Sequence, residues 1–399
     1  MHVRAHKTLK LPQSLSSLLA SSLVPRMLLK QPLTVLAAAH IAAAAAIAAP
    51  PPFNRTSLNA AAKSAIKSLT SMPNWSTGWD WDQGVGLYGI WKHYEATGDN
   101  SSFVAVQDWF TTRLPRGQRK HVNSMSVFAT LVNLYSVTRD AKWIPYMEEW
   151  GSWAMYNLTR TEEGGMQHVT SGSQNTQQLW IDTLMMAVIP LAKIGLLLDK
   201  PEYVAEAKKQ FDIHIKYLHD GKTGLFFHGW TFVDRDNFAA AHWARGNAWA
   251  VITLAEMLEL LELDGKKQDP TLRGTLDAVQ AALPALQDEA NGGLWRTVLD
   301  HPVAEGSYIE TSASTGFLFS YVKAQRKGWI SNDKYAAVVE MGVIGALKSI
   351  ASSGEVRNVS AGTGVGETIR HYFNVPKVQT MWGQGMAVMA LTETWRTLG

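Results

Sequence analysis

Six stretches of the chain are apolar nearly all round at helical spacing: Gly84 to Glu95, Ser124 to Ser136, Asp182 to Leu198, Asn247 to Leu261, Thr311 to Ala324, and Gly383 to Trp395. Between them lie turns and more amphipathic helical segments. Thr97-Gly-Asp-Asn100 opens Ser101 to Arg113, Thr138-Arg-Asp-Ala141 opens Lys142 to Asn157, and Lys200-Pro-Glu-Tyr203 opens Val204 to Leu218, with Pro201 at a first helical position. Asp333 to Ser352 is a further segment of this kind. The starts of the apolar stretches fall 40 to 72 residues apart, room for two helices and two loops each time. Alternation of β-branched residues is short and local, as in Val356 to Val359. The pattern predicts an all-α fold: a six-fold α/α barrel of alternating inner and outer helices.

In such a barrel the starts of the inner helices gather at one end, where Trp- and Gly-rich loops form a funnel. Asp182 belongs there. In Gln178-Leu-Trp-Ile-Asp182-Thr-Leu-Met-Met-Ala187 it stands in the first turn of a helix with no other charge before Lys193. A carboxylate so placed either caps its helix, which lowers its pKa, or sits buried beside Trp180 and Met185, which raises it; acid catalysis requires burial to win. Second carboxylates are sought in Asp80 and Asp82, in Glu162 and Glu163, and in Glu310.

A second cluster runs from His228 through Trp230, His242, Trp243 and Arg245 to Trp249. Trp faces suit sugar rings and an arginine fork suits a planar carboxylate, so an acidic sugar is expected; core packing of the Trp residues and a structural partner for Arg245 are the plain alternatives. His214, His219, His228 and His242 lack compact metal-ligand spacing, and no metal is expected. Ala361-Gly-Thr-Gly-Val-Gly366 follows no convincing strand and has no lysine after it, so it reads as an ordinary loop, with Glu367, His371, Tyr372 and Met381-Trp-Gly-Gln-Gly385 completing the rim.

Composition separates the first 50 residues from the rest. They hold five Lys or Arg and no acid, ending in an uncharged Ala-dominated run from Pro32 to Pro50. This reads as an export leader, with a signal anchor, an organelle-targeting segment or a mis-assigned start as alternatives. Residues 51–399 are expected to form one catalytic domain. Of 37 basic residues 32 lie there, against all 34 acidic ones, so the net positive charge belongs to the leader and no nucleic-acid partner is expected. No stable membrane partner is expected once the leader is removed. Sequons at Asn54, Asn74, Asn100, Asn157 and Asn358 suit a secreted protein. The absence of Cys excludes thiol catalysis and disulfides, and 16 Trp exceed what a core of this size ordinarily uses.

Five strings appear in order: Gly84-Val-Gly-Leu-Tyr-Gly-Ile-Trp91, Leu179-Trp-Ile-Asp182-Thr-Leu-Met-Met-Ala187, His228-Gly-Trp230, Trp243-Ala-Arg-Gly-Asn-Ala-Trp249 and Trp382-Gly-Gln-Gly-Met386. Together they resemble the unsaturated rhamnogalacturonyl hydrolases of glycoside hydrolase family 105, over residues 75 to 397. The resemblance implies a cofactor-free hydrolase acting on an acidic unsaturated oligosaccharide, the product of a polysaccharide lyase. Asp182 would protonate C4 of the C4–C5 double bond and activate the water that adds at C5. It also implies a substrate site of Tyr88, His121, Asn123, His228, Trp243, Arg245, Trp249 and Trp382. One position departs: where many members have Asp-His-Ile-Asn, this chain has Lys120-His121-Val-Asn123, so Lys120 replaces an acid and is expected either to contact the uronate or to turn outward. An unsaturated glucuronyl hydrolase, an inverting glycosidase on the same barrel, and a non-catalytic carbohydrate-binding barrel are the alternatives.

Overall fold

Helices that are apolar on every side must be covered on every side, and this chain covers them with a second ring of helices. The computed structural model describes residues 52–398, so the leader lies outside the described residues. In chain order the elements are α1 (Arg55–Thr70), α2 (Trp81–Thr97), α3 (Asn100–Arg113), α4 (Phe128–Thr138), α5 (Ile144–Tyr156), β1 (Gln178–Trp180), α6 (Ile189–Leu197), α7 (Pro201–Leu218), β2 (Gly229–Thr231), α8 (Ala244–Leu263), α9 (Pro270–Ala282), α10 (Thr311–Arg326), α11 (Asn332–Lys348), α12 (Ile369–Phe373) and α13 (Met381–Thr397). A 3-10 turn, Asn123–Val127, leads into α4.

Helices α2, α4, α6, α8, α10 and α13 each pack on the next, and α13 returns to α2 to close the inner ring. Outside them, α3, α5, α7, α9 and α11 back onto the inner ring, and α1 packs on α13. The burial pattern follows the division. Inner helix α8 buries seventeen of its twenty residues. Outer helix α7 buries one face, Tyr203, Val204, Ala207, Gln210, Phe211, His214 and Leu218, at the three- and four-residue spacing of an amphipathic helix.

All six predicted inner helices are present. Two outer helices, α1 and α9, have no counterpart in the sequence reading: α1 is built largely of Ala, Ser and Lys, and α9 is short and interrupted by Gly274. Val356 to Val359 forms no strand; Val356 makes an isolated bridge with Ile350. The paired strands are instead β1 and β2, antiparallel with Leu179 opposite Trp230 and Trp180 opposite Gly229. Gln178 to Trp180 is therefore strand, and the helical segment begins at Asp182.

That segment starts with a wide π turn over Leu184–Val188, in which the Ile189 N–H reaches back to the Leu184 carbonyl. Pro190 follows and has no N–H to give to Met186, so the regular ladder is already broken at this point. The irregular turn lies directly beyond Asp182.

The ring closes where α2 and α13 touch backbone to backbone. A Cβ at Gly89 would fall 2.3 Å from the Gly385 carbonyl oxygen, and one at Gly385 would fall 2.6 Å from that of Val85. Gly89→Ala is expected to destabilise the protein by roughly 1–3 kcal/mol through overpacking. Gly274→Ala, on α9 with open space around it, is expected to stabilise by up to about 1 kcal/mol through helix propensity. Urea unfolding of both variants checks the pair; equal stability of Gly89→Ala and the parent would refute the closure contact.

Candidate active site

The N-terminal ends of the inner helices surround a cavity of about 400 Å³. Its wall includes Asp80 and Trp81 from the start of α2, Asn123, Asp182 and Met186, Trp243 and Arg245 from the start of α8, and the loops holding His168 and Gly362 to Gly364. Aligned helix dipoles put partial positive charge at this end, which favours an anionic ligand. A somewhat larger cavity, about 510 Å³, lies at the opposite end. It contains neither Asp182 nor any aromatic wall, so the chemistry is assigned to the first.

The β1–β2 pair places the central contact. Strand β1 delivers Asp182 and strand β2 begins just after His228, and the Ile181 N–H bonds the His228 carbonyl at 3.0 Å. The segment before His228 is tied to α8 by the Asn247 side chain, which accepts from the Phe226 N–H and donates to the Phe226 carbonyl, each at 2.8 Å. With both chains fixed, His228 Nε2 lies 3.1 Å from Asp182 Oδ2. Among the described residues this is the carboxylate's only hydrogen-bond partner, so Asp182 is not a helix cap.

The histidine is itself oriented. Its Nδ1 lies 2.8 Å from the Tyr372 hydroxyl, which accepts the Gly366 N–H at 3.0 Å. Burial pushes His228 below the ordinary histidine value, and it is neutral near pH 7. A neutral ring has one donor nitrogen, and the carboxylate can only accept, so the network assigns the proton to Nε2 and makes Tyr372 the donor to Nδ1. Burial alone would raise the Asp182 carboxyl, but His228, then His168 and Arg245, hold it below the ordinary aspartate value. The condition for acid catalysis, that burial win, is not met by the protein's own groups alone.

Other sequence candidates divide sharply. Asn123 and Trp243 line the cavity. His121 is buried beside it, its Nε2 4.0 Å from Asp80 Oδ2, and burial lowers it to about 4. Arg245 lines the cavity, yet Nη1 and Nη2 are spent on the Ser360 carbonyl and hydroxyl and the Ala361 carbonyl, with Glu310 3.6 Å away. Its fork therefore organises the 360–361 loop rather than presenting itself to a ligand. Trp382 stands behind the wall, its ring 4.3 Å from that of Trp81.

Three candidates lie away from the cavity. Tyr88 points toward the opposite end and donates to Glu256 at 2.6 Å. Trp249 is fully buried in the core. Lys120 turns outward to Glu149 at 2.5 Å. In each case the local sequence allows the position but says nothing of the direction. Glu310 is also structural: fully buried, it caps α10 through the Ala313 N–H and accepts from the Ser360 N–H. Glu162 and Glu163 pair with Arg235 and Lys216 at the surface.

Asp80 is the second carboxylate on the cavity wall. One oxygen accepts the Trp81 N–H, and burial raises its pKa above the ordinary value. Its neighbour Asp82, raised to about 6 by burial, does not line the cavity. His168 was absent from the sequence reading. It stacks on Trp180 with ring centroids 4.4 Å apart, and its Nδ1 bonds the Thr183 hydroxyl at 2.9 Å. The loop from Ala361 to Gly366 also proves part of the wall: a Cβ at Gly362 would meet Trp81 at 3.3 Å, and one at Gly364 would meet Trp180 at 3.1 Å. Among the described residues the amides of Gly362, Thr363 and Gly364 have no hydrogen-bond partner.

Tyr372→Phe removes the group that fixes the His228 tautomer. With the ring free to carry its proton on Nδ1, the Asp182 carboxylate loses its donor and its pKa is expected to rise. A carboxyl-carbon NMR titration of Asp182 in parent and variant measures this; an unmoved midpoint would refute the tautomer assignment.

Comparison with known proteins places this geometry. The model for Glycosyl Hydrolase Family 88 matches residues 57–398. The chain is 32% identical over 323 residues to the unsaturated rhamnogalacturonyl hydrolase YesR of Bacillus subtilis, covering 80% of this chain and 90% of that one. Crystal structures of possible members of the GH105 family are similar in fold. That from Klebsiella pneumoniae subsp. pneumoniae has 39% identity and a TM-score of 0.82 over 87% of this chain and 95% of that one. That from Salmonella enterica subsp. enterica serovar Paratyphi A has 41% identity and a TM-score of 0.82 over 87% and 96%.

Proposed function

The chain belongs to glycosyl hydrolase family 88, and from that premise we propose that it removes a 4,5-unsaturated uronic acid, in particular unsaturated galacturonate, from the non-reducing end of lyase-generated oligosaccharides. The observation that carries this reading is a largely buried carboxylate, Asp182, held by an oriented neutral histidine in an aromatic-walled cavity at the positive ends of inner helices. The name of the Bacillus relative supports rhamnogalacturonan fragments as the source of the substrate.

The chemistry needs one group that first gives and then takes a proton. Protonated Asp182 adds its proton to C4 of the enol ether, and positive charge develops at C5 and the ring oxygen. The carboxylate so formed stabilises that charge and removes a proton from the water that attacks C5, which restores the acid. The resulting hemiketal opens and expels the remaining sugar. His228 holds the carboxylate in place throughout.

Substrate binding raises the Asp182 pKa, so that the carboxylate takes up its proton from solvent. The protein's own groups keep Asp182 ionised, and a uronate that brings its own negative charge and displaces water reverses the balance. The free amides of Gly362, Thr363 and Gly364 are suited to that carboxylate, with Arg245 holding the loop that presents them. Trp81 and Trp180 offer faces to the sugar ring, while Trp243, almost wholly buried, backs His228 and Arg245. Asp80 supplies the second carboxylate from α2, in a site whose resemblance to family 105 leads one to expect an acid at position 120. It is suited to accept a sugar hydroxyl.

Residues 1–50 are read as an export leader, which the exposure of Asn54, Asn74, Asn100, Asn157 and Asn358 supports. Among the described residues no helix is long and apolar enough to cross a membrane.

Asp182→Asn is expected to lower kcat by at least about 10³-fold with the fold retained, because it removes proton transfer and keeps the size of the side chain. The assay follows loss of the ultraviolet absorbance of the unsaturated uronate; full activity in the variant would sink the assignment. A saturated galacturonyl disaccharide should stay intact, whereas an inverting glycosidase built on Asp182 and Asp80 would cleave it. Since the active form is protonated and its pKa rises on binding, kcat/KM should fall with increasing pH at a lower midpoint than kcat does. Coincident midpoints would refute proton uptake on binding.

A further inference from the structure

The second cavity lies where the C-terminal ends of the inner helices converge. Carbonyl ends carry partial negative charge, which accounts for lysines gathering there. Lys92, Lys193 and Lys323 are each more than nine-tenths buried, whereas among the carboxylates lining the cavity Glu256 alone is buried as deeply. Two of the three are matched: Lys323 is 2.8 Å from Glu256 and 2.6 Å from Glu259, and Lys92 is 3.4 Å from Glu95 and 3.5 Å from Glu256. The carboxylates lining the cavity, Glu95, Glu256, Glu259 and Asp264, each have a cation within 4 Å from among these two lysines and others.

Lys193 is the exception. It is 6% exposed and lines the cavity, and among the described residues its ammonium has no hydrogen-bond or ion-pair partner. Its ammonium lies 5.0 Å from the centre of the Tyr88 ring. Asn133, on α4, also lines the cavity and has a buried side-chain N–H with no acceptor. The buried Asn133 N–H without an acceptor is costly, and the Lys193 ammonium, in no direct pair, is open to an acceptor from the cavity. The mouth is of a different character. Leu196, Leu197, Leu260 and Leu263 surround it, and Leu263 is 76% exposed, an uncommon state for a leucine beside a cavity.

We propose that this cavity binds a small amphiphilic carboxylate, its head group between Lys193 and Asn133 and its apolar body against the leucine mouth. A volume of about 510 Å³ accommodates a molecule of that size. The lysine's charge is required, and burial with the neighbouring Lys92 brings its pKa down to about 8. The groups that face it from the packed helices are Tyr88, Lys92 and Glu95 on α2, Glu256 and Glu259 on α8 and Lys323 on α10. Binding is therefore expected near pH 7 and lost as Lys193 deprotonates.

The test is thermal unfolding of the full chain with hexanoate, hexanol and inorganic phosphate as probes. At pH 7 hexanoate should raise the melting temperature by roughly 3–5 °C at a hundred times its Kd, while hexanol and phosphate leave it unchanged. In Lys193→Met, whose fold is checked by circular dichroism and whose activity at the other end of the barrel is expected to be unchanged, the hexanoate effect should vanish; at pH 9.5 it should vanish in the parent. An equal effect of hexanoate on parent and variant, no effect on either, or an equal response to hexanol would each overturn the proposal. So would a response to phosphate without one to hexanoate, which would mark a bare anion site. Asn133→Ala should weaken hexanoate binding several-fold, and unaltered binding would remove the second donor from the site.

Discussion

The candidate site depends on one short piece of antiparallel pairing. Three residues of β1 against three of β2 bring the start of one inner helix beside the loop that leads to the next, and with that register Asp182 and His228 meet. A one-residue slip would turn every side chain of the strand to the other face. The pair would then be separated, and the carboxylate would be left buried without a donor. Asn247 and Tyr372 guard the same contact from two further elements, one by tying the chain before His228 to α8, the other by fixing its ring.

A barrel of parallel inner helices is electrically polar, and the two ends have been used differently. The N-terminal end carries the aromatic wall, the unpartnered loop amides and the Asp182 carboxylate. The C-terminal end carries buried lysines, most of them matched by glutamates. Dipoles that favour an anion at one end demand cations at the other. The charge distribution is thus a property of the whole ring, and neither cavity can be explained from its own residues alone.

Arg245 shows how a group can be right for a ligand by chemistry and yet be engaged elsewhere. Its fork fits a carboxylate, and the surrounding sequence gives no reason to deny it one. In the structure the loop carbonyls of Ser360 and Ala361 occupy it. The glycine-rich stretch that reads as an ordinary loop becomes part of the wall for the same reason, since Arg245 holds it there and the two Trp rings stand close against Gly362 and Gly364. Lys120 and Glu149 likewise meet only because an outer helix passes beside the entry to α4.

The hydrophobic period by itself determined the six inner helices, the barrel they form and the position of Asp182 at the start of one of them, because burial on all sides leaves an unmistakable run of apolar residues. The order of the aromatic strings carried the family. The period could not reveal which way a side chain on such a helix points: Tyr88 and Trp249 are on inner helices, yet one faces the opposite end and the other the core. Nor could it reveal partners from distant segments, such as His168 on Trp180 or Tyr372 on His228, separated by 144 residues in the second case. Those contacts were decided by the closing of the ring, which fixes direction and neighbourhood only once all the helices are in place.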